Sequence, residues 1–358
     1  MGTEPSTMEL QRLTRRAFVG RTAGLVAGAG LSGSLLAACG GDDEQTSSAG
    51  GKKLDQVTFL TIIPLNLGFI TELVGTLNGH FKKEGLDVKI QSTRGSAQAI
   101  QSVLQGSALV TRAGAIESVI AISKQNAPLL DIGMQWHKSP LGFASAEAKP
   151  LRVPADWKGK KMGIPSEGGT SEWTLDLMLA SAGVPLDSVE RQVVGFSPGT
   201  FDLVKKGRID GYVIGSTEIV RFASEVPDAV VIDPSKYVEE GQCYLASKRA
   251  MAEKKDQLTA FMNATRAAAD DVVADRDNDY KKIIELVRTK YDFPELKDDK
   301  IAQGVMKGQV DAWFVNGEEN LMKTVPENWQ KVYDQLVKVK LVPGGKDPKP
   351  WFTNELVS

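Results

Sequence analysis

Four short loops carry the residue types that could hold a small ligand: Pro64-Leu65-Asn66, Arg94-Gly95-Ser96, Ala113-Gly114-Ala115 and Glu167-Gly168-Gly169-Thr170-Ser171. Each stands between an apolar, strand-like run and a segment of helical period. The chemistry on offer is that of a helix N-terminus, where unpaired N–H groups and the helix dipole converge on an acceptor, preferably an anion. In the last loop Gly168 and Gly169 let the backbone approach a ligand closely, and Thr170 or Ser171 adds a hydroxyl. The plainer alternative is a helix cap after a turn. Ser96 offers the same two readings, a cap or, with Arg94, part of an anion-facing loop. Gly114 and Asn66 are the ligand-facing positions of the third and first loops. Ser216-Thr217-Glu218 follows a further strand-like run. A carboxylate at Glu218 suits a cationic or N–H-bearing ligand, or is a solvated acid at a helix start. Trp136 ends another strand, where its ring could stack on a ligand or fill the core.

The first forty residues read as an address label. Thr14-Arg15-Arg16-Ala17-Phe18-Val19 resembles the twin-arginine export motif, and a Gly/Ala/Leu-rich stretch without acids follows. It ends in Leu36-Ala37-Ala38-Cys39-Gly40, which resembles a lipobox, where the Cys39 thiol is acylated and the chain cut before it. The apolar stretch is short and glycine-rich for a spanning helix, which needs ~20 apolar residues. Residues 1–38 are therefore expected to be a lipoprotein signal. Residues 39–53, small, polar and acidic, are expected to be a flexible tether. The folded part should begin near Leu54.

Covalent and metal chemistry find little support. Besides Cys39 there is only Cys243, in a strand-like run, so no intramolecular disulfide is available and a buried inert thiol is expected. His80 and His137 have no Cys or His companions at ligand spacing, which argues against zinc. No catalytic residue, metal or cofactor is assigned. With 43 basic and 45 acidic residues the net charge is −2, without the clustered Lys/Arg excess of a nucleic-acid surface.

Short β-branched runs alternate with helical segments, the pattern of an α/β fold with a largely parallel sheet. Val57–Ile63, Leu86–Ile90, a run from Leu109 and Leu129–Met134 read as strands of a first unit. Lys160–Ile164, Val189–Val194, Ile209–Ile214 and Val230–Ile232 read as strands of a second. After Ser247 the texture is helical.

Four segments then resemble one family in order and spacing. Gly79-His-Phe-Lys-Lys-Glu-Gly-Leu-Asp-Val88 and the turn at Val103-Leu-Gln-Gly-Ser107 are similar to segments of periplasmic binding proteins for sulfonates, nitrate and thiamine-precursor pyrimidines. So are Asp156-Trp-Lys-Gly-Lys-Lys-Met-Gly-Ile-Pro165 and Val204-Lys-Lys-Gly-Arg-Ile-Asp-Gly211. The resemblance implies the two-lobed, type II periplasmic-binding-protein fold with a ligand cleft between α/β lobes. Lobe one would be residues 54–145 plus 246–358 and lobe two 146–245, with hinge crossings near Phe143–Ser145 and Tyr244–Ala246. It implies a monomeric, exported lipoprotein at the outer face of the cell membrane or in the periplasm. There it would deliver a sulfonate, a nitrate-like anion or an N-heterocycle to the permease and ATPase of an ABC importer. Two departures stand out: the first loop lacks the D-W-x-P-N pattern of pyrimidine binders, and the turn after Gly106 lacks the usual Asp. The rivals are enzymes on the same fold and a solute-sensing lipoprotein. The related pyrimidine synthase carries a cysteine-rich motif absent here. The related desulfinase uses a cysteine nucleophile, and the early cleft loops here hold none.

Overall fold

The computed structural model describes residues 53–195 and 197–357, so the expected signal, Cys39 and nearly all of the tether lie outside the described residues. The strands are β1 (Asp55–Thr61), β2 (Leu86–Ser92), β3 (Val110–Gly114), β4 (Leu129–Trp136), β5 (Gly142–Ala146), β6 (Lys161–Ile164), β7 (Glu190–Val193), β8 (Gly211–Ile214), β9 (Ala229–Ile232) and β10 (Gln242–Ser247). The helices in the first half are α1 (Ile70–Leu77), α2 (His80–Lys83), α3 (Ser96–Gln105), α4 (Ala115–Gln125), α5 (Thr170–Ser181), α6 (Phe201–Lys205) and α7 (Ser216–Glu225). The helical end contributes α8 (Lys248–Glu253), α9 (Lys255–Ala274), α10 (Lys281–Arg288), α11 (Asp299–Trp313) and α12 (Pro326–Lys338).

The strands form two five-stranded sheets, in the orders β2-β1-β3-β10-β4 and β7-β6-β8-β5-β9. Pairs β1–β2, β1–β3, β6–β7 and β6–β8 are parallel, as the alternation of strands and helices predicts. The other four pairs are antiparallel, because β5 leaves the first sheet to enter the second and β10 returns. The crossings expected at Phe143–Ser145 and Tyr244–Ala246 therefore fall inside β5 and β10. Strand pairing assigns all of β5 to the second sheet and all of β10 to the first. The connections between sheets run over 137–141 and 233–241, a shift of a few residues. Sequence patterning did not separate a hinge from a buried strand, since both are short and largely apolar.

Alternation along the strands sorts side chains between cores. In β10, Tyr244 and Ala246 face a core built with α1, α9, α10 and α11, while Cys243 and Leu245 face the opposite one. In β8, Val213 joins that second core and Tyr212 and Ile214 a third, with Phe201 and Phe222.

The first core encloses a polar network. Arg112 of β3 is 1% exposed and Glu72 of α1 is fully buried, their charged groups 3.7 Å apart. Arg112 Nη1 also donates to Gln135 Oε1 and Nη2 to the carbonyl of Gly68. Its guanidinium lies 4.7 Å from the Phe69 ring centroid. Tyr244 Oη donates towards Glu72 Oε1 at 2.8 Å and Gln135 Oε1 at 2.7 Å. Removing one member of such a buried pair leaves the other charge uncompensated. Arg112→Met is therefore expected to lower stability by about 3–5 kcal/mol, read as a drop in urea midpoint at constant m-value.

Asp131 of β4 ties the sheet to the end of the fold. Its carboxylate accepts from Thr324 Oγ1 at 2.6 Å and Gly133 N at 2.8 Å, and its carbonyl accepts from Thr353 N at 2.8 Å. Complete burial raises its pKa from 3.8 to about 7, against the opposing pull of those two bonds. Between these values only the folded state holds the proton, so stability falls as pH rises, by up to about 1.4 kcal/mol per unit. Asp131→Asn is expected to flatten that decline in denaturation curves taken at pH 5 and pH 8.

Candidate functional site

Loops at the carboxyl ends of the strands of both sheets meet across a cleft, where open α/β sheets bind ligands. The lobes touch there. Thr170 Oγ1, at the start of α5, donates to Glu117 Oε1, in the first turn of α4. A Cβ placed on Gly95 would lie 3.6 Å from Ser166 Oγ, and one on Gly304 of α11 would lie 2.6 Å from Val220 of α7. The arrangement is closed.

Side-chain oxygens of the chain itself accept N–H groups at or just before these helix starts, and at α3 and α5 the N–H taken belongs to the residue before the N-cap. Asn66 Oδ1 accepts from Gly68 N at 2.7 Å, and its Nδ2 donates to the Pro64 carbonyl. At α3 the N-cap is Gly95 rather than Ser96, which is the first helical residue and 3% exposed. Gln98 Oε1 takes the N–H of Arg94, whose side chain is exposed. At α5, Gly168 has φ +68°, and its N–H donates to Glu172 Oε2 at 2.6 Å, with Gly169 as N-cap and Ser171 buried. At α7, Glu218 bonds its own N–H and that of Gly215.

At α4 the occupant comes from far along the chain. Glu240, on the crossing before β10, accepts from Gly241 N at 3.0 Å and is hydrogen-bonded by the N–H groups of Ala115 and Ile116. Gly114 is its N-cap and must be glycine: a Cβ there would lie 2.5 Å from Glu117 Oε2, 2.7 Å from Thr170 Oγ1 and 3.0 Å from Glu240 Oε1. Glu117 and Glu240 are each 5% exposed. Burial, and next the charge of Glu117, hold the Glu240 carboxyl well above the usual carboxylate range. A second acidic pair spans the cleft: burial foremost raises the pKa of Glu218, with Glu295 adding repulsion. Glu295 Oε1 accepts from Leu67 N at 2.9 Å.

The residues singled out from sequence thus separate. Gly114 and Thr170 gather about the Glu117–Glu240 pair, while Gly169 and Gly95 lie on either side of Ser166. Trp136 and Ser216 line a separate cavity of about 420 Å³ beside the hinge, between α7 and α11, with Lys138, Asp233 and Asp311 at its rim. Trp136 is 3% exposed and packs in the first core. Lys138 and Asp233, one on each crossing, pair at 2.7 Å. Glu117, Glu240 and Glu295 had no signal strong enough to single out by themselves. Glu117 stands three residues after Gly114, and Glu240 sits in Glu239-Glu240-Gly241 before a strand, patterns shared by many solvated acids.

The chain matches the family described as NMT1/THI5 like over residues 66–278. Riboflavin-binding protein RibY of Chloroflexus aurantiacus is 22% identical over 312 residues, covering 85% of this chain and 86% of that protein. The 4-amino-5-hydroxymethyl-2-methylpyrimidine phosphate synthase of Schizosaccharomyces pombe is 21% identical over 317 residues, covering 84% and 85%. Among solved structures, the alkanesulfonate-binding protein SsuA from Xanthomonas axonopodis pv. citri, bound to MOPS, matches at a TM-score of 0.64 and 15% identity, over 84% of this chain and 99% of its own. That likeness is one of fold, the two-lobed periplasmic-binding-protein architecture.

The crowding at Gly114 has a direct test. Gly114→Ala inserts a methyl where two lobes and two acids meet, and overpacking of that kind costs about 1–3 kcal/mol. Opening the lobes relieves it, so the variant is expected to show a larger radius of gyration in X-ray scattering than the parent chain.

Proposed function

The chain belongs to the NMT1/THI5-like family, and on that footing we propose that it is the solute-binding component of an ABC importer, exported and held at the outer face of the membrane by a lipid on Cys39. The observation that carries this reading is the clamp itself: two sheets joined by two crossings, whose ligand-side loops meet at Thr170 and Glu117. A small organic solute entering between them is sequestered by bending at 137–141 and 233–241. Residues of both lobes then line it, Asn66, Ser96 and Gly114 from one side and Thr170, Ser171 and Glu218 from the other. The riboflavin-binding relative and the sulfonate-binding fold neighbour support solute capture as the use of this architecture.

The synthase relative supports a second reading, an enzyme on the same fold. Groups that nucleophilic chemistry would recruit are in unsuitable states. Cys243 is fully buried, and burial pushes its thiol pKa well up, away from the reactive thiolate. His137 is 5% exposed, and its Nε2 is spent on the carbonyl of Asn320. His80 sits 2.6 Å from Asp271 of α9, on the helical side of the first sheet. Binding without turnover accounts for these better.

Two measurements test the proposal. A cognate solute at a hundredfold excess over its Kd should stabilise the mature chain by about 2.7 kcal/mol in thermal unfolding. The loaded chain should also stimulate ATP hydrolysis by its reconstituted permease and ATPase. Chemical conversion of the solute by the chain alone would overturn the assignment in favour of an enzyme.

A further inference from the structure

We propose that the cavity between α7 and α11 is a second binding site, for a small, neutral, largely apolar molecule bearing a hydrogen-bond acceptor, and that its occupancy is coupled to the hinge. This goes beyond solute capture and does not depend on which solute the cleft takes.

Its place in the fold sets it apart from the cleft. The Glu117–Thr170 contact stands where β3 and β6, interior strands of the two sheets, lead into α4 and α5. The cavity lies instead against β4 and β9, the outermost strands. One wall comes from lobe two, with Ile219 and Val220 of α7 and Ile232 of β9. The other comes from lobe one, with Trp136 and with Val305 and Ala312 of α11. Both crossings run along it, joined by the Lys138–Asp233 pair. At about 420 Å³ it falls within the ~300–1,000 Å³ of ordinary ligand pockets.

Three features say what would fill it. The first is a helix glycine without a steric cause. Gly304 and Gly308, one turn apart in α11, both line the cavity, and glycine weakens a helix interior relative to alanine. Gly304 is explained, since a Cβ there would lie 2.6 Å from Val220. A Cβ on Gly308 would meet no other part of the fold within 4 Å, so nothing in the protein uses the space it leaves. The second is a buried donor without an acceptor. Trp136, Trp157, Trp313 and Trp329 have buried indole N–H groups with no partner among the described residues, and of these Trp136 lines the cavity. It is 3% exposed, and a ligand oxygen at the edge of its ring would satisfy the N–H. The third is the lack of spare charge. Lys138 is held by Asp233 at 2.7 Å and Asp311 by Lys307 at 2.6 Å, and the other lining side chains are uncharged. The mouth is apolar as well: among the described residues four large apolar side chains stand exposed, and two of them, Val231 and Val315, border this cavity.

A molecule seated between α7 and α11 touches both lobes, so it favours the lobe angle at which both walls are in place. Whatever shifts that angle shifts its affinity in return.

The test is NMR titration of the isotope-labelled mature chain with acetophenone as the neutral probe, and with benzoate and benzylammonium as anionic and cationic counterparts. Loss of a signal in Trp136→Phe assigns the Trp136 indole N–H. Acetophenone is expected to move that resonance saturably and to bind roughly tenfold or more tighter than either ion. Gly308→Leu fills the space and favours helix, so it should weaken acetophenone roughly tenfold or more with Tm unchanged or higher. Gly308→Ala, a smaller intrusion, should weaken it less. Amide exchange over 137–141 and 233–241 should slow when the probe saturates the chain. A Trp136 signal that acetophenone leaves in place, equal or tighter binding of either ion, full affinity in Gly308→Leu, or unchanged exchange at the crossings would each overturn the proposal. The parent-chain titration and Gly308→Ala keep the test decisive if Gly308→Leu folds poorly. Solute-stimulated ATP hydrolysis by the importer is read separately, so failure at this cavity leaves solute capture standing.

Discussion

Arg112 and Glu72 face each other where no water reaches, and much of lobe one is arranged around that fact. Desolvating two charges is expensive, and it is tolerated only where further hydrogen bonds complete the shell. Those bonds come from β4 through Gln135, from the turn before α1 through the Gly68 carbonyl, and from β10 through Tyr244. The Phe69 ring covers the guanidinium. Four segments scattered from residue 68 to residue 244 are thus held to one geometry. The placement of β10 between β3 and β4 rests on this as well as on backbone pairing, because a one-residue slip would turn Tyr244 away from Glu72.

The cleft shows the opposite economy. Gly95, Gly114, Gly169 and Gly215 are the N-caps of α3, α4, α5 and α7. In sequence that pattern reads as anion chemistry. In the fold the N–H groups that open α4 instead meet a side-chain oxygen of this chain, that of Glu240, 126 positions beyond Gly114. The N–H groups of Ala115 and Ile116 oppose, without overcoming, the burial that raises the Glu240 carboxyl. The loop at Gly114, which suggests an oxyanion site in sequence, therefore holds two buried acids, Glu117 and Glu240.

Elements that follow from local period were legible from sequence alone. Helix 115–125 lies where its apolar spacing places it, and β4 and β8 lie within a few residues of expectation. The family segments led to the two-lobed fold because their glycines mark turns, such as Gly85, Gly106 and Gly207, all with positive φ. What was not legible depends on distant partners. Nothing near Phe143 says that its strand pairs with β8 and β9 and not with β4, and nothing near Glu240 says that it caps α4. Trp136 shows the limit from the other side: its position at a strand end was readable, while its burial among α11 side chains required the fold.

The double crossing also orders how the molecule can assemble. The second sheet uses strands from an unbroken stretch, 142–232, so all of its pairings close short or moderate loops. The first sheet lacks an interior strand until β10 arrives, and its helical cover, with the Thr324 and Thr353 contacts to Asp131, comes later still. Lobe two can therefore condense as a unit while β3 and β4 still expose unpaired edges. Such edges are sites of mispairing until they are filled. The strand that follows the second crossing is thus the step that finishes the first sheet.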